Sequence, residues 1–282
     1  MTGPRAWLKE MLVAAGRQLV VAKRSSRVVI LCYHSVSTAS FASATPQEFE
    51  QHLRWLRTHC EIVPFRRAAE TAGGPPGDRP AVAITFDDGY ADNYEYAFPL
   101  LQSYEVPATF FLTAGLLERH PRVVERFQTL YHARDIRPLE WAQVREMRSA
   151  GMEFGAHTYS HPNLRRLTRS AAETELRQSK AILEDHLSER VGAMAYPFGI
   201  PRRHFTPETM DLAAAAGYDC AAAITLRALQ RSHSRLAIPR FPVSRGGLGT
   251  LTDMIAGAWD LFGVWQERAP LALQHSRWDR YE

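Results

Sequence analysis

The sequence predicts an α/β fold in which parallel strands alternate with helices. Three observations predict it. Apolar runs rich in β-branched and aromatic residues recur along the 282-residue chain. Segments of helical period separate those runs, and Gly, Pro, Ser and Thr fall where one pattern gives way to the other. Strands separated by helices of roughly 10–15 residues pair in parallel through β-α-β crossovers. About seven strands satisfy either a closed barrel or an open doubly wound sheet, and both architectures put reactive side chains at the carboxyl ends of strands.

The first element is a basic amphipathic helix. Trp7, Leu8, Met11, Leu12, Ala15 and Leu19 recur at helical spacing among Arg5, Lys9, Arg17, Lys23 and Arg24. Arg17 and Gln18 interrupt Met11–Ala22, which makes it a poor secretion-signal core. No run approaches the roughly 18 apolar residues of a spanning helix. The expectation is a cytoplasmic protein whose helix packs on its own domain. Contact with the inner-membrane surface is the alternative for a helix of this kind.

Strands are then expected at Val28–Tyr33, Ala81–Phe86, Ala108–Thr113, Met152–His157, Ala193–Tyr196, Cys220–Ile224 and Ile238–Val243. Thr45 and Pro46 read as the cap and first turn of a helix with Phe49, Leu53 and Leu56 on one face. Ser170 and Glu173 read as a capping box before Leu176, Ile182, Leu183 and Leu187. Thr206–Pro207 opens another helix, Gly151 and Gly217 close two more, and Leu251–Trp265 forms the last. Thr71–Pro80 is a Gly/Pro-rich surface loop. The chain thus divides into a helix over 1–25, one large domain over 26–265 and a tail over 266–282.

Composition narrows the function only by exclusion. With 45% hydrophobic and 23% charged residues the chain is an ordinary globular protein. The net charge of +4 is spread over scattered arginines such as Arg165, Arg166, Arg202 and Arg203. No nucleic-acid module accompanies it. Three cysteines, Cys32, Cys60 and Cys220, lack C-x-x-C spacing, which argues against disulfides and thiolate zinc.

Two motifs carry chemistry. Thr85-Phe86-Asp87-Asp88-Gly89 ends an apolar strand, and adjacent carboxylates are costly to hold together without positive charge nearby. A turn at Gly89 can bring both to the strand end, one as metal ligand and one as base. His157-Thr158-Tyr159-Ser160-His161-Pro162 ends another strand. Pro162 biases His161 away from helix, so both imidazoles lie on a strand-end loop. Two histidines and one carboxylate form a recognised catalytic metal set.

In combination, TFDDG followed about 70 residues later by HTYSHP resembles the polysaccharide deacetylase (NodB-homology) family, carbohydrate esterase family 4. The resemblance spans Val28 to Val243. It implies a distorted (β/α) barrel of about seven strands and a divalent metal, most often zinc. By the same match Asp88, His157 and His161 are the ligands and Asp87 the general base. Ala195-Tyr196-Pro197-Phe198-Gly199 is similar to the family's groove loop, whose backbone N–H beside the aromatic holds an oxyanion. Many members carry an arginine where this chain has Ala195, and Arg240 is the candidate substitute. The family's C-terminal Leu-x-His motif is absent, but Leu31-Cys32-Tyr33-His34 resembles the permuted poly-N-acetylglucosamine deacetylase branch, in which His34 would be the general acid.

The implied reaction is removal of acetyl groups from N-acetylhexosamines of a glycan. Exopolysaccharide or cell-envelope glycan is favoured among the substrates by the permuted order. Non-heme iron oxygenases share the ligand set but ride on all-β scaffolds. Hydrolysis of another C–N bond or of an O-acetyl ester remains open. So does glycan binding without catalysis, although a mere binder needs no base at Asp87.

Overall fold

The computed structural model describes residues 4–19, 26–71, 77–131 and 136–269. Eight parallel strands form one curled sheet: β1 Val28–Tyr33, β2 Glu61–Ile62, β3 Ala81–Asp88, β4 Thr109–Leu112, β5 Glu153–Ala156, β6 Ala193–Ala195, β7 Cys220–Ala222 and β8 Phe241–Pro242. They run in the order β7-β6-β5-β4-β3-β1-β8, with β2 added on β3. The helices are α1 Pro4–Leu19, α2 Pro46–His59, α3 Phe65–Thr71, α4 Phe98–Ser103, α5 Ala114–Leu117, α6 Pro121–Tyr131, α7 Trp141–Ser149, α8 Arg169–Leu187, α9 Pro207–Ala215, α10 Gly247–Ala256 and α11 Asp260–Arg268. The distorted (β/α) barrel expected from the sequence is the observed fold.

The expected last strand, Ile238–Val243, is split, and the split helps close the barrel. Pro239 and Pro242 have no N–H to give a ladder. Ile238 therefore pairs on one side, its N–H donating to Ala221 O at 2.8 Å. Three residues on, Phe241 pairs with Leu31 of β1. The same short segment thus spans from β7 to β1.

Strand alternation sorts the core into two faces. Val29, Leu31 and Tyr33 of β1, Val82, Ile84 and Phe86 of β3, and Phe110 of β4 face the helices in the largest apolar cluster. Ile30, Ala83, Phe111, Ala193 and Ala222 come from strands far apart in the sheet yet form one cluster, the barrel interior. Small residues there leave room for Phe111 and, above it, for a buried arginine. Asp87 continues the interior series Ala83–Thr85, so the alternation delivers it to the mouth of the barrel.

Helix punctuation is mostly as the sequence predicts. Thr45 caps α2 in a full capping box with Glu48, and Phe49, Leu53 and Leu56 are buried. Such a cap contributes about 1 kcal/mol. The box expected at Ser170 is displaced: Thr168 caps α8, accepting from the Ala171 N–H, and Ser170 lies inside the first turn. The expected Leu251–Trp265 helix is two helices, α10 and α11, broken at Gly257.

The helix α1 is present, but it docks by another face. Trp7 and Met11, expected to pack, are 61% and 47% exposed, whereas Val13 is 8% exposed. Gly16 sets the approach, because a Cβ there would stand 2.1 Å from the Ala258 carbonyl oxygen. A bidentate pair of Arg17 with Asp253 at 3.1 Å fixes the helix further. Among the described residues no helix is long and apolar enough to cross a membrane. Lys23 and Arg24, part of the Gly/Pro-rich loop and the tail after Ala269 lie outside the described residues.

His52, 3% exposed on α2, meets the Tyr33 hydroxyl at 3.0 Å through Nδ1. Burial lowers its pKa below the ordinary value of 6.5. The unfolded chain then binds the proton more readily, so this contribution to stability is complete above pH 6.5 and is lost as pH falls. Thermal unfolding of the metal-free protein should show a shallower loss of Tm between pH 7 and 5 in His52→Gln than in wild type. Equal slopes would assign the acid sensitivity elsewhere.

Candidate active site

Six strand ends converge on one pocket of about 260 Å³, lined among others by His34, Asp87, His157, Tyr196, Phe198, Ile224 and Pro242. At the end of β3 the backbone turns left-handed at Asp88 (φ 77°) and again at Gly89 (φ 86°). A Cβ at Gly89 would press on Leu112 and Leu117 at 3.0 Å, so glycine serves both the angle and the space. Without that turn Asp88 would follow Phe86 toward the helices. With it, both carboxylates reach the mouth. A non-glycine residue in this conformation costs of order 1–3 kcal/mol, which the surrounding structure must offset.

The loop after β5 carries the same signature, with Thr158 at φ 63° and His161 at φ 56°. Its two imidazoles approach Asp88 symmetrically: Nε2 of His157 and Nε2 of His161 each lie 3.5 Å from Oδ1. His157 donates Nδ1–H to the Ala195 carbonyl at 2.8 Å, which turns Nε2 toward the carboxylate. Rings of Phe127 and Phe198 flank His161 at 5.3 and 4.7 Å. Burial holds its pKa well below 6.5, so the ring is neutral. Glu175 of α8 clamps the loop, accepting from the N–H groups of Tyr159 and Ser160 at 2.9 and 2.8 Å and from the Ser160 hydroxyl at 2.6 Å.

Asp87 is held from the opposite side. Arg240, immediately before β8 and fully buried, donates to both of its oxygens at 2.7 Å and to Thr85 Oγ1 at 3.0 Å. Its guanidinium lies over Phe111 at 5.3 Å. Burial pushes the Asp87 pKa up, but the ion pair with Arg240, helped by His157 and His34, outweighs it and holds the carboxyl well below the usual range. The Cys32 thiol adds a donor at 3.3 Å, and burial keeps it protonated.

His34 follows β1 and is half-buried. Its N–H donates to Ser43 Oγ at 2.9 Å and its carbonyl accepts from Asn93 Nδ2 at 2.8 Å. Asp92 ties down the next two residues through the Ser35 hydroxyl and the Val36 N–H. Burial lowers the His34 pKa, partly opposed by Asp88 and Asp87. One donor atom each of Cys32, His34 and Asp87 lie within 4.8 Å of one another, and so do those of Asp88, His157 and His161.

The groove loop after β6 narrows one expectation. Tyr196 commits its N–H to the Ala222 carbonyl at 3.1 Å, and Pro197 has none. Of the three residues, Phe198 lines the pocket with a left-handed backbone, φ 59°.

The donor set fits a divalent cation. Arg240 balances Asp87, while Asp88 adds a second buried carboxylate facing two imidazoles, one of them held neutral. A carboxylate oxygen and two imidazole nitrogens are the ligand types of catalytic zinc sites with open positions. If they hold a metal, Glu175→Ala should weaken its affinity about 10–100-fold by loosening the loop, as loss of ligand-orienting groups does. Competition with a chromogenic chelator would read this, and an unchanged affinity would remove the role.

The barrel with a two-histidine, two-aspartate mouth defines a class, and comparison with known proteins agrees. A profile of the family described as Polysaccharide deacetylase matches residues 74–221. The chain belongs to this family of hydrolases acting on carbon–nitrogen bonds. The Bacillus subtilis (strain 168) protein YxkH is 26% identical over 230 residues, covering 81% of this chain and 75% of that one. A poly-beta-1,6-N-acetyl-D-glucosamine N-deacetylase of Staphylococcus epidermidis is 25% identical over 233 residues, covering 78% and 73%. In fold, the Streptococcus pyogenes deacetylase PplD, solved with acetate, superposes with a TM-score of 0.68 at 24% identity over 81% of this chain and 98% of that one.

Proposed function

We propose that this protein is a metal-dependent N-deacetylase of N-acetylhexosamine units in a glycan. One observation carries the reading: Asp88 Oδ1 lies 3.5 Å from both imidazole Nε2 atoms, with a second carboxylate, held by Arg240, beside it at the same mouth. Asp88, His157 and His161 would hold the ion, zinc by ligand type. Bound there, it supplies Lewis-acid polarisation of the acetamide carbonyl and a more acidic water.

The chain's own residues do the rest. Asp87, ionised at any working pH, accepts the proton of the attacking water. Arg240, with Thr85 and Cys32 at its side, fixes the carboxylate's rotamer and aim. The Phe198 N–H donates to the oxygen that becomes negative. Ile200 and Ile224 line the pocket beside it and give the acetyl methyl and sugar ring an apolar wall. His34 passes a proton to the departing sugar amine, which leaves poorly without one. Its depressed pKa makes the imidazolium a stronger acid, with a smaller protonated fraction at neutral pH.

The substrate we favour is a glycan that contains β-linked N-acetylglucosamine, the sugar named for the staphylococcal relative. Acetate release from β-1,6-linked N-acetylglucosamine oligomers tests the reading. Release should fall at least 100-fold after chelation and return with one equivalent of divalent metal. Undiminished release from demetallated protein would contradict it.

A further inference from the structure

Beside the catalytic pocket lies a larger groove of about 500 Å³, walled by α1, α10 and the residues after β8. The two cavities share Pro242 and Ser244. Ser244 is exposed. A chain lying in one therefore passes over this short segment into the other. The groove is unlike its neighbour in charge: Lys9, Arg17 and Arg245 line it against one carboxylate, Glu10. Arg17 is matched by Asp253. Among the described residues neither Lys9 nor Arg245 meets a carboxylate. Lys9 Nζ sits 4.6 Å over the Trp259 ring, and Arg245 donates only to the carbonyls of Ser37 and Ala39, at 3.2 and 2.8 Å. Two exposed cations held in place over a groove, rather than swinging in solvent, form a pre-set receptor for an anion.

We propose that this groove is a substrate subsite for an anionic group, a phosphate or a carboxylate, carried on the glycan next to the N-acetylhexosamine whose acetyl is removed. The proposal rests on the deacetylase reading for the sugar in the catalytic pocket. It also deepens that reading, because a neutral N-acetylglucosamine homopolymer offers nothing for Lys9 and Arg245 to bind. A chain extended from the catalytic pocket across Ser244 enters the groove that both cations and the Trp259 indole line.

Calorimetric titration of the metal-loaded, full-length protein tests this with three trisaccharides of N-acetylglucosamine. One is neutral, one bears a terminal phosphate and one ends in a uronic acid. The expected result at low ionic strength is roughly tenfold tighter binding of an anionic form, shrinking in 0.5 M salt as the charges are screened. Lys9→Gln and Arg245→Gln should each reduce that preference severalfold. The phosphate-to-carboxylate ratio tells which anion the groove takes. The readout is a ratio within one protein, so a general loss of affinity in Arg245→Gln, which also frees the loop at Ser37, does not imitate it, and Lys9→Gln stands apart from that loop. Equal binding of all three by wild type would overturn the proposal, as would a preference that both variants retain. Acetate assayed on the same samples separates the two claims. Preference without acetate release would sink the deacetylase reading and keep the subsite, and release without preference the reverse.

Discussion

Asp87→Asn is expected to lower acetate release about 10²–10⁴-fold, the usual contribution of a general base, while the metal still binds. The amide keeps the shape of the carboxylate but cannot take the water's proton. The same change leaves Arg240 buried without its counter-charge, and breaking a buried pair this way costs about 3–5 kcal/mol. Activity must therefore be normalised to folded, metal-loaded protein. Arg240→Met attacks the pair from the other side. It should destabilise the fold by a similar amount and slow turnover, since among the described residues nothing else donates to both Asp87 oxygens. Unchanged turnover in Arg240→Met would remove its role as the arginine that orients the base.

His34→Ala is expected to reduce kcat on acetamide substrates by about 10²–10⁴-fold with KM changed little, because a general acid acts on the leaving group rather than on binding. The choice of leaving group sharpens the test. An activated aryl acetate expels a group that needs no proton, so its hydrolysis should survive the substitution far better than that of the sugar acetamide. An equal loss on both substrates would place His34 in structure or binding instead. Asn93, which holds the His34 carbonyl at 2.8 Å, should give a milder loss of the same kind when changed to Ala.

The sequence made the frame of this molecule legible because its signals are periodic and local. The strand Val28–Tyr33 is bounded as its apolar run predicts, and Thr45, Pro46 and Thr206 open their helices. Where geometry overrides local pattern, the sequence misled. Strand β3 runs on through both aspartates, since the left-handed turn comes at Asp88 itself as well as at Gly89. Trp7 and Met11 of the α1 stripe face outward while Leu8 and Leu12 are half-buried, because the close approach at Gly16 decides which side docks. Strand β2, two residues long, is too short to show an alternation.

The candidate site divides along similar lines. TFDDG and HTYSHP could be read because each packs its chemistry into a few adjacent residues, and the structure brings Asp88, His157 and His161 together as that reading expects. Arg240 and Asp87 stand 153 positions apart, and Arg240 was reachable only through the family resemblance, as the substitute for the arginine missing at Ala195. Glu175, Asp92, Asn93 and Cys32 carried no signal. Each is an ordinary residue in its own element, made relevant by one long-range hydrogen bond. The Cys32 thiol, whose spacing argued only against disulfides and thiolate zinc, sits against the proposed base.

The proposed reaction depends on one divalent ion shared by Asp88, His157 and His161. Anomalous diffraction from crystals grown with zinc, recorded on both sides of the zinc edge, tests that most directly. The predicted result is a single strong peak bonded to Asp88 and both imidazoles, with Asp87 beside it and still paired to Arg240. A peak elsewhere, or none at saturating zinc, would contradict the account.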